Sequence, residues 1–306
     1  STTHSIIGAI VGFALISKGT SAIAWAKVGK IVASWVVSPL LGGVISFLIF
    51  SFIKSRILNS KNPLKATQKF APYLVGSVFF ILTLVMLFKG LKQLNLDYSF
   101  MGALKLASIF SVIGGGISWV LIKKFLKNKM DEKENVFGVV EKIFVWLQIL
   151  SACFVAFAHG ANDVANAIGP MAAIVSTLKE GVVLAKVEVP MWILGLGGAG
   201  IVIGLATWGW RVIETIGKKI TELTPTRGFS AEFGAATTIV IASKLGLPIS
   251  TTHTLVGSVL GVGMARGMAS LNMNMIRNIL LSWFVTLPAG GFLSIIFYQI
   301  LLLIFL

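Results

Sequence analysis

The sequence has a single cysteine, Cys153, in 306 residues, so no disulfide can close within it and no thiolate cluster can hold a metal. Charge is scarce too. Asp, Glu, Lys and Arg make up 12% of the residues, about half the share usual in a soluble protein. A water-exposed surface cannot be built from so few charges when 56% of the chain is apolar or aromatic and mean hydropathy is +0.91. Acids are the scarcest class, 11 against 26 Lys and Arg, for a net charge of +15. In a soluble protein that excess would point to nucleic acid. Here the cations stand between apolar runs, as loop and headgroup anchors do, and no nucleic-acid partner is expected. No secretory signal can be read either, because the first residues are polar and the chain opens on Ser1.

What is present is a series of apolar runs. Crossing a bilayer takes about 20 such residues, and six stretches qualify: 31–53, 71–88, 106–122, 143–158, 190–210 and 279–306. Shorter stretches at 3–16, 164–178, 233–247 and 251–265 are expected to be half-helices or re-entrant arms, the last two flanking Pro248. Long, proline-kinked helices are the alternative. The positive linker Lys54, Arg56, Lys61, Lys65 and Lys69 and the basic stretch from Lys123 to Lys133 share a side, with two spans between them. The link from Lys89 to Asp97 has only a small positive excess, which puts the two basic loops in the cytoplasm, although Lys18, Lys27 and Lys30 argue the other way. The charged segment 123–135 divides a first part, 1–122, from a second, 136–306.

An internal repeat organises the chain. Ser1-Thr2-Thr3-His4 followed by Gly8 and Gly12 recurs 249 residues later as Ser250-Thr251-Thr252-His253 followed by Gly257 and Gly261. Ser34-Trp35, Gly42-Gly43 and Ser46 recur at an offset of 248 as Ser282-Trp283, Gly290-Gly291 and Ser294. Duplicated membrane halves with interrupted helices at matching positions are the mark of secondary transporters, whose sites form where the halves meet.

Two constellations carry chemistry. The first is His159 to Pro170. Asp163, at bilayer depth, costs several kcal/mol unless it faces a cavity and holds a cation or proton. Gly160, Gly169 and Pro170 weaken a helix locally, so an unwound turn is expected to show carbonyls beside Asn162, Asp163 and Asn166, an oxygen-rich set for a small hard cation. Interhelical hydrogen bonding is the bland alternative. The second is Pro248 to His253, where Ser250 or Thr251 is a good N-cap. The helix would aim free N–H groups and three hydroxyls at an anion, unless the turn is only a cap. Gln148 is a secondary cation ligand or an interhelical bond, and Glu232 opens the arm leading to Pro248 as a functional acid or a dipole partner. His4, His159 and His253 read as packing histidines, with proton carriage as the minority reading. If the repeat builds one shared anion site, the two Ser-Thr-Thr tips must lie within about 10 Å of each other.

GANDVANAIGP at 160–170, with GFSAEFGAATTIVIASKLGLPISTTHTLVGSVLG at 228–261, resembles the second repeat of the inorganic phosphate transporter family. The likeness covers essentially the whole chain. It implies an all-α polytopic bundle with inverted repeats and re-entrant hairpins, multi-pass in a bacterial or archaeal inner membrane. It further implies a homodimer, phosphate as substrate, sodium or protons as coupling ions with sodium favoured, and no other cofactor. By the resemblance, Ser1, Thr2, Thr3, Asn162, Asp163, Ser250, Thr251 and Thr252 hold phosphate. Asn162, Asp163, Asn166 and Gln148 hold sodium, and Glu232 is a coupling acid. The family has its own GAND-type motif upstream of the first tip. Asp163 precedes Ser250 by 87 residues, so about that many, with a leading helix, are expected ahead of Ser1. The expected function is phosphate import by alternating access. A sulfate permease of the same fold, an intramembrane hydrolase using Ser250 and His253, and a channel are the rivals.

Overall fold

A computed structural model describes residues 1–87, 99–127, 135–182, 187–245 and 249–305. The expectations for Lys89 to Asp97, for the core of the linker at 128–134 and for Pro248 lie outside those residues. Among the described residues there are helices and no strands. They are α1 (Thr2–Lys18), α2 (Trp25–Ile53), α3 (Pro63–Val85), α4 (Phe100–Lys127), α5 (Val136–Glu180), α6 (Met191–Gly204), α7 (Trp210–Glu214), α8 (Pro225–Lys244), α9 (Thr251–Arg266) and α10 (Met273–Phe305). Wider turns carry α2 on to Leu58 and join α6 through α7 to Ile220 in one rod.

Six of these rods are long and apolar enough to span a membrane, and each covers most or all of one of the six runs read from hydropathy. The protein is a multi-pass helical membrane protein. Side-chain caps set several helix starts: Asn62 Oδ1 accepts from Lys65 N at 3.1 Å with Pro63 behind it, and Asn135 accepts from Phe137 N at 3.1 Å. Gly181 ends α5 in the left-handed region at φ 71°, where a side chain would be strained.

One expectation fails here. The runs 143–158 and 164–178 are one helix, because α5 continues through Gly160, Gly169 and Pro170 for 45 residues. A glycine costs a helix about 1 kcal/mol and a proline about 3, and neither breaks a rod whose remaining ladder propagates on both sides. The first residues of the expected linker are helical, since α4 runs to Lys127.

Packing follows the repeat, with the copies crossed. α1 lies on α10 and α9 lies on α2, so each short helix packs on the long helix of the other copy. A Cβ on Gly257 would stand 2.2 Å from the Pro39 carbonyl oxygen, and one on Gly8 would stand 2.2 Å from that of Leu287. Gly261 against Gly43 and Gly12 against Gly291 repeat the match at 2.0 and 2.4 Å. Glycine at these positions lets backbones approach as no larger residue would.

The crossed pairing also fixes direction. α1 ends at Lys18, a short link from the start of α2, whereas α9 ends beside the far end of α2, where Lys54 Nζ donates to Ala265 O at 3.2 Å. α2 is about 44 Å long by its 29 residues. Two helices of 17 and 16 residues, each shorter than a bilayer's roughly 30 Å core, therefore start near the centre and run to opposite ends.

Candidate functional site

Ser1 and Ser250 are the N-caps of α1 and α9, accepting from His4 N at 3.4 Å and from His253 N at 3.3 Å. Their hydroxyls lie 3.0 Å apart. The two tips thus meet, far inside the 10 Å that a shared site requires, and two helix N-termini with their positive dipole ends face one centre.

Asp163 closes that centre from α5. Thr2 Oγ1 donates to its Oδ2 and Thr251 Oγ1 to its Oδ1, both at 3.2 Å, so matching residues of the two tips take one oxygen each. Asn162 Nδ2 adds a bond to Oδ1 at 3.1 Å, and His159 Nε2, one turn back on α5, lies 2.7 Å from Oδ2. Asn166, a turn further on, donates to Thr3 Oγ1 at 3.2 Å. Ser1, Thr2, Thr3, Asn162, Asp163, Asn166, Ser250 and Thr251 are thereby brought together. Thr252 is not among the partners of Asp163.

The expected unwound turn is absent. α5 stays helical through the motif, so its carbonyls remain in the helix ladder and the oxygen-rich face is made by side chains alone. His159 is a second difference: it pairs with Asp163 instead of packing, and its spacing of four residues from an acid on one helix was the signal for that.

Gln148 and Glu232 form a separate cluster. Gln148 precedes Asp163 by 15 residues on a continuous helix, about 22 Å along its axis. Glu232 of α8 accepts hydrogen bonds from the Ser151 hydroxyl and from Gln148. It does not open its helix, as α8 begins at Pro225. Glu141 of α5 serves that start instead, accepting from Thr226 N at 2.9 Å and Thr226 Oγ1 at 2.8 Å. Ser151 was not foreseen, though it follows Gln148 at helical spacing on the same face.

Beneath the tips the repeat continues into a buried aromatic knot. The His4 ring packs on Trp35 at 3.7 Å between centroids and the His253 ring stacks on Trp283 at 3.6 Å. The two imidazoles meet edge to face at 4.4 Å. His4 Nδ1 also reaches the carbonyl of Trp283, which ties the first tip to the other copy's long helix. His253 is turned into this stack and neither of its ring nitrogens bonds Ser250, so the pair lacks the contact between nucleophile and base that hydrolysis needs.

Residues 1–294 match the phosphate transporter family. The chain belongs to the phosphate transporter family. Among the family's members, a Haemophilus influenzae protein named “Putative phosphate permease” is 48% identical over all of this chain and 73% of its own length. A Pyrococcus horikoshii protein of the same description is 45% identical over 99% of this chain and 73% of its own. A solved structure titled “The sodium-dependent phosphate transporter” superposes with a TM-score of 0.88 at 42% identity, over 99% of this chain and 74% of that one. In this phosphate transporter family member the two tips therefore meet inside a fold shared with that solved structure.

Proposed function

We propose that this protein imports inorganic phosphate, driven by sodium, through alternating access in the cell membrane, with inverted repeats supplying its two tips. The observation that carries this reading is the 3.0 Å contact between Ser1 and Ser250 with Asp163 held by a threonine from each tip. Two helix N-termini and paired hydroxyls offer donors on opposite sides of a tetrahedral oxyanion, which would replace the hydroxyl-to-hydroxyl contact. No Lys or Arg belongs to either tip, so nothing clamps the anion permanently. Its charge is met by sodium on Asp163, Asn162 and Asn166, hard oxygen ligands suited to a hard cation. Gln148, Ser151 and Glu232 make a second oxygen-rich site in which Glu232 couples cation movement to the hairpin of α8 and α9. The functional unit is a homodimer.

The test is radiolabelled phosphate uptake into proteoliposomes under an imposed sodium gradient, a proton gradient or neither, with sulfate as competitor. Uptake driven by sodium and resistant to sulfate is expected. Uptake driven only by protons would remove the sodium assignment, and transport of sulfate in place of phosphate would remove the substrate.

A further inference from the structure

On the outer side of the bundle, α3 and α4 enclose a groove of about 630 Å³. Its floor is glycine. Gly76 and Gly115 bring the two backbones together, since a Cβ on Gly76 would lie 3.0 Å from the Ser111 carbonyl oxygen and one on Gly115 would lie 3.1 Å from that of Pro72. Gly116 faces open space, with nothing within 4 Å of the position a Cβ would take. One end of the groove is cationic: Lys69 lines it, and Lys123 sits 5.0 Å over the ring of Trp119, which lines it too. α3 and α4 together carry six lysines and no acid.

We propose that this groove binds one anionic phospholipid, its headgroup phosphate at Lys69 and Lys123 and an acyl chain over Gly76 and Gly116. The apolar walls suit the chain, and Lys69 and Lys123, which have no acidic partner among the described residues, suit the phosphate. Trp119 marks the interfacial level at which a headgroup sits. A second copy of the protein fits less well. A twofold dimer in a membrane has its axis along the bilayer normal, so the lysine end of one groove would be set against the lysine end of the other.

Native mass spectrometry of the full-length protein, titrated with phosphatidylglycerol or phosphatidylcholine, tests this. One phosphatidylglycerol is expected to be retained per chain in preference to phosphatidylcholine. Lys69→Gln with Lys123→Gln should weaken its retention roughly 30-fold, from about 5-fold for each lysine at an anionic surface. Gly116→Leu fills the groove with both lysines in place and should lose the lipid without lowering the melting temperature. Lys105→Gln, towards the other end of α4, should change nothing. Equal retention by all variants, or equal affinity for the two lipids, overturns the proposal. So does a Gly116→Leu protein that loses dimer mass while keeping its lipid, which would assign the groove to a second copy.

Discussion

Thr2 and Thr251 offer a sharp test of the shared centre, because matching residues of two repeats each donate to a different oxygen of one carboxylate. Valine keeps the shape of threonine and removes the donor. A hydrogen bond to a charged group is worth about 1.5 to 3 kcal/mol, and both bonds, at 3.2 Å, are long for O–H···O contacts, which favours the lower figure. Each single variant should therefore lose roughly 10-fold in sodium-driven phosphate uptake efficiency. The two losses should agree within about threefold, since the geometry is the same on both sides. Thr2→Val with Thr251→Val should fall short of the product of the two, as residues sharing one partner couple by about 0.5 kcal/mol or more. Thr252→Val should stay nearer wild type. The assay is initial-rate uptake into proteoliposomes at varied phosphate and sodium, with melting temperatures to confirm folding. A silent Thr2→Val beside an inactive Thr251→Val would refute the reasoning, because one tip would then be carrying the site alone.

Gly261→Ala, whose Cβ would stand 2.0 Å from the Gly43 carbonyl oxygen, should destabilise the protein by about 1 to 3 kcal/mol in thermal melts. Gly29→Ala, with nothing in the way, should leave stability unchanged or raise it. Asp163→Asn keeps the size of the side chain and removes its charge, so uptake should stop responding to a sodium gradient; undiminished gradient-driven uptake would count against Asp163 as a cation ligand. Glu232→Gln should weaken sodium dependence while phosphate still protects the protein against heat, and loss of both effects would show that the two clusters are not separate. In a Cys153→Ser background, spin labels at Lys18 and Met268 should change separation when phosphate and sodium are added, while labels at Ser55 and Met268 should not. A shift in the second pair would contradict rigid packing of α9 on α2.

Much of the helical architecture was legible because a membrane span needs only length and hydropathy, and both can be counted. The meeting of the tips was legible as well, since the repeat of Ser-Thr-Thr-His asks for a shared purpose. Other features depend on partners that pattern cannot name. Gly160 and Pro170 read as a break, but a local weakness of a few kcal/mol does not decide the course of a 45-residue helix. Glu232 reads as opening its arm, yet α8 begins at Pro225, and the Gln148 amide fills the space beside Gly228, 2.1 Å from where a Cβ would be. Offsets of 248 and 249 show that two segments match. They do not show that each short helix packs on the other copy's long one.

That crossing bears on how such a site opens. The glycine contacts make α1 with α10 one tight unit and α2 with α9 another, through backbone approaches that tolerate no slack. Between the units at the tips stand the Ser1 to Ser250 contact, the two threonine bonds to Asp163, the paired imidazoles and the packing of His4 on Trp35 and of His253 on Trp283. The hydroxyl contact is a neutral hydrogen bond worth a net of about 0.5 to 1.5 kcal/mol and each bond to the carboxylate is worth about 1.5 to 3, and water or an anion can replace any of them. Backbone packed directly on backbone at the glycines leaves no room for water or a ligand to take the partner's place. The seam whose contacts can be exchanged for a ligand therefore runs through the proposed binding site. In the proposed alternating access, movement along it would change which face of the site is covered while leaving both rigid pairs intact, so a ligand that bridges the seam would be held by the very surfaces whose separation would release it.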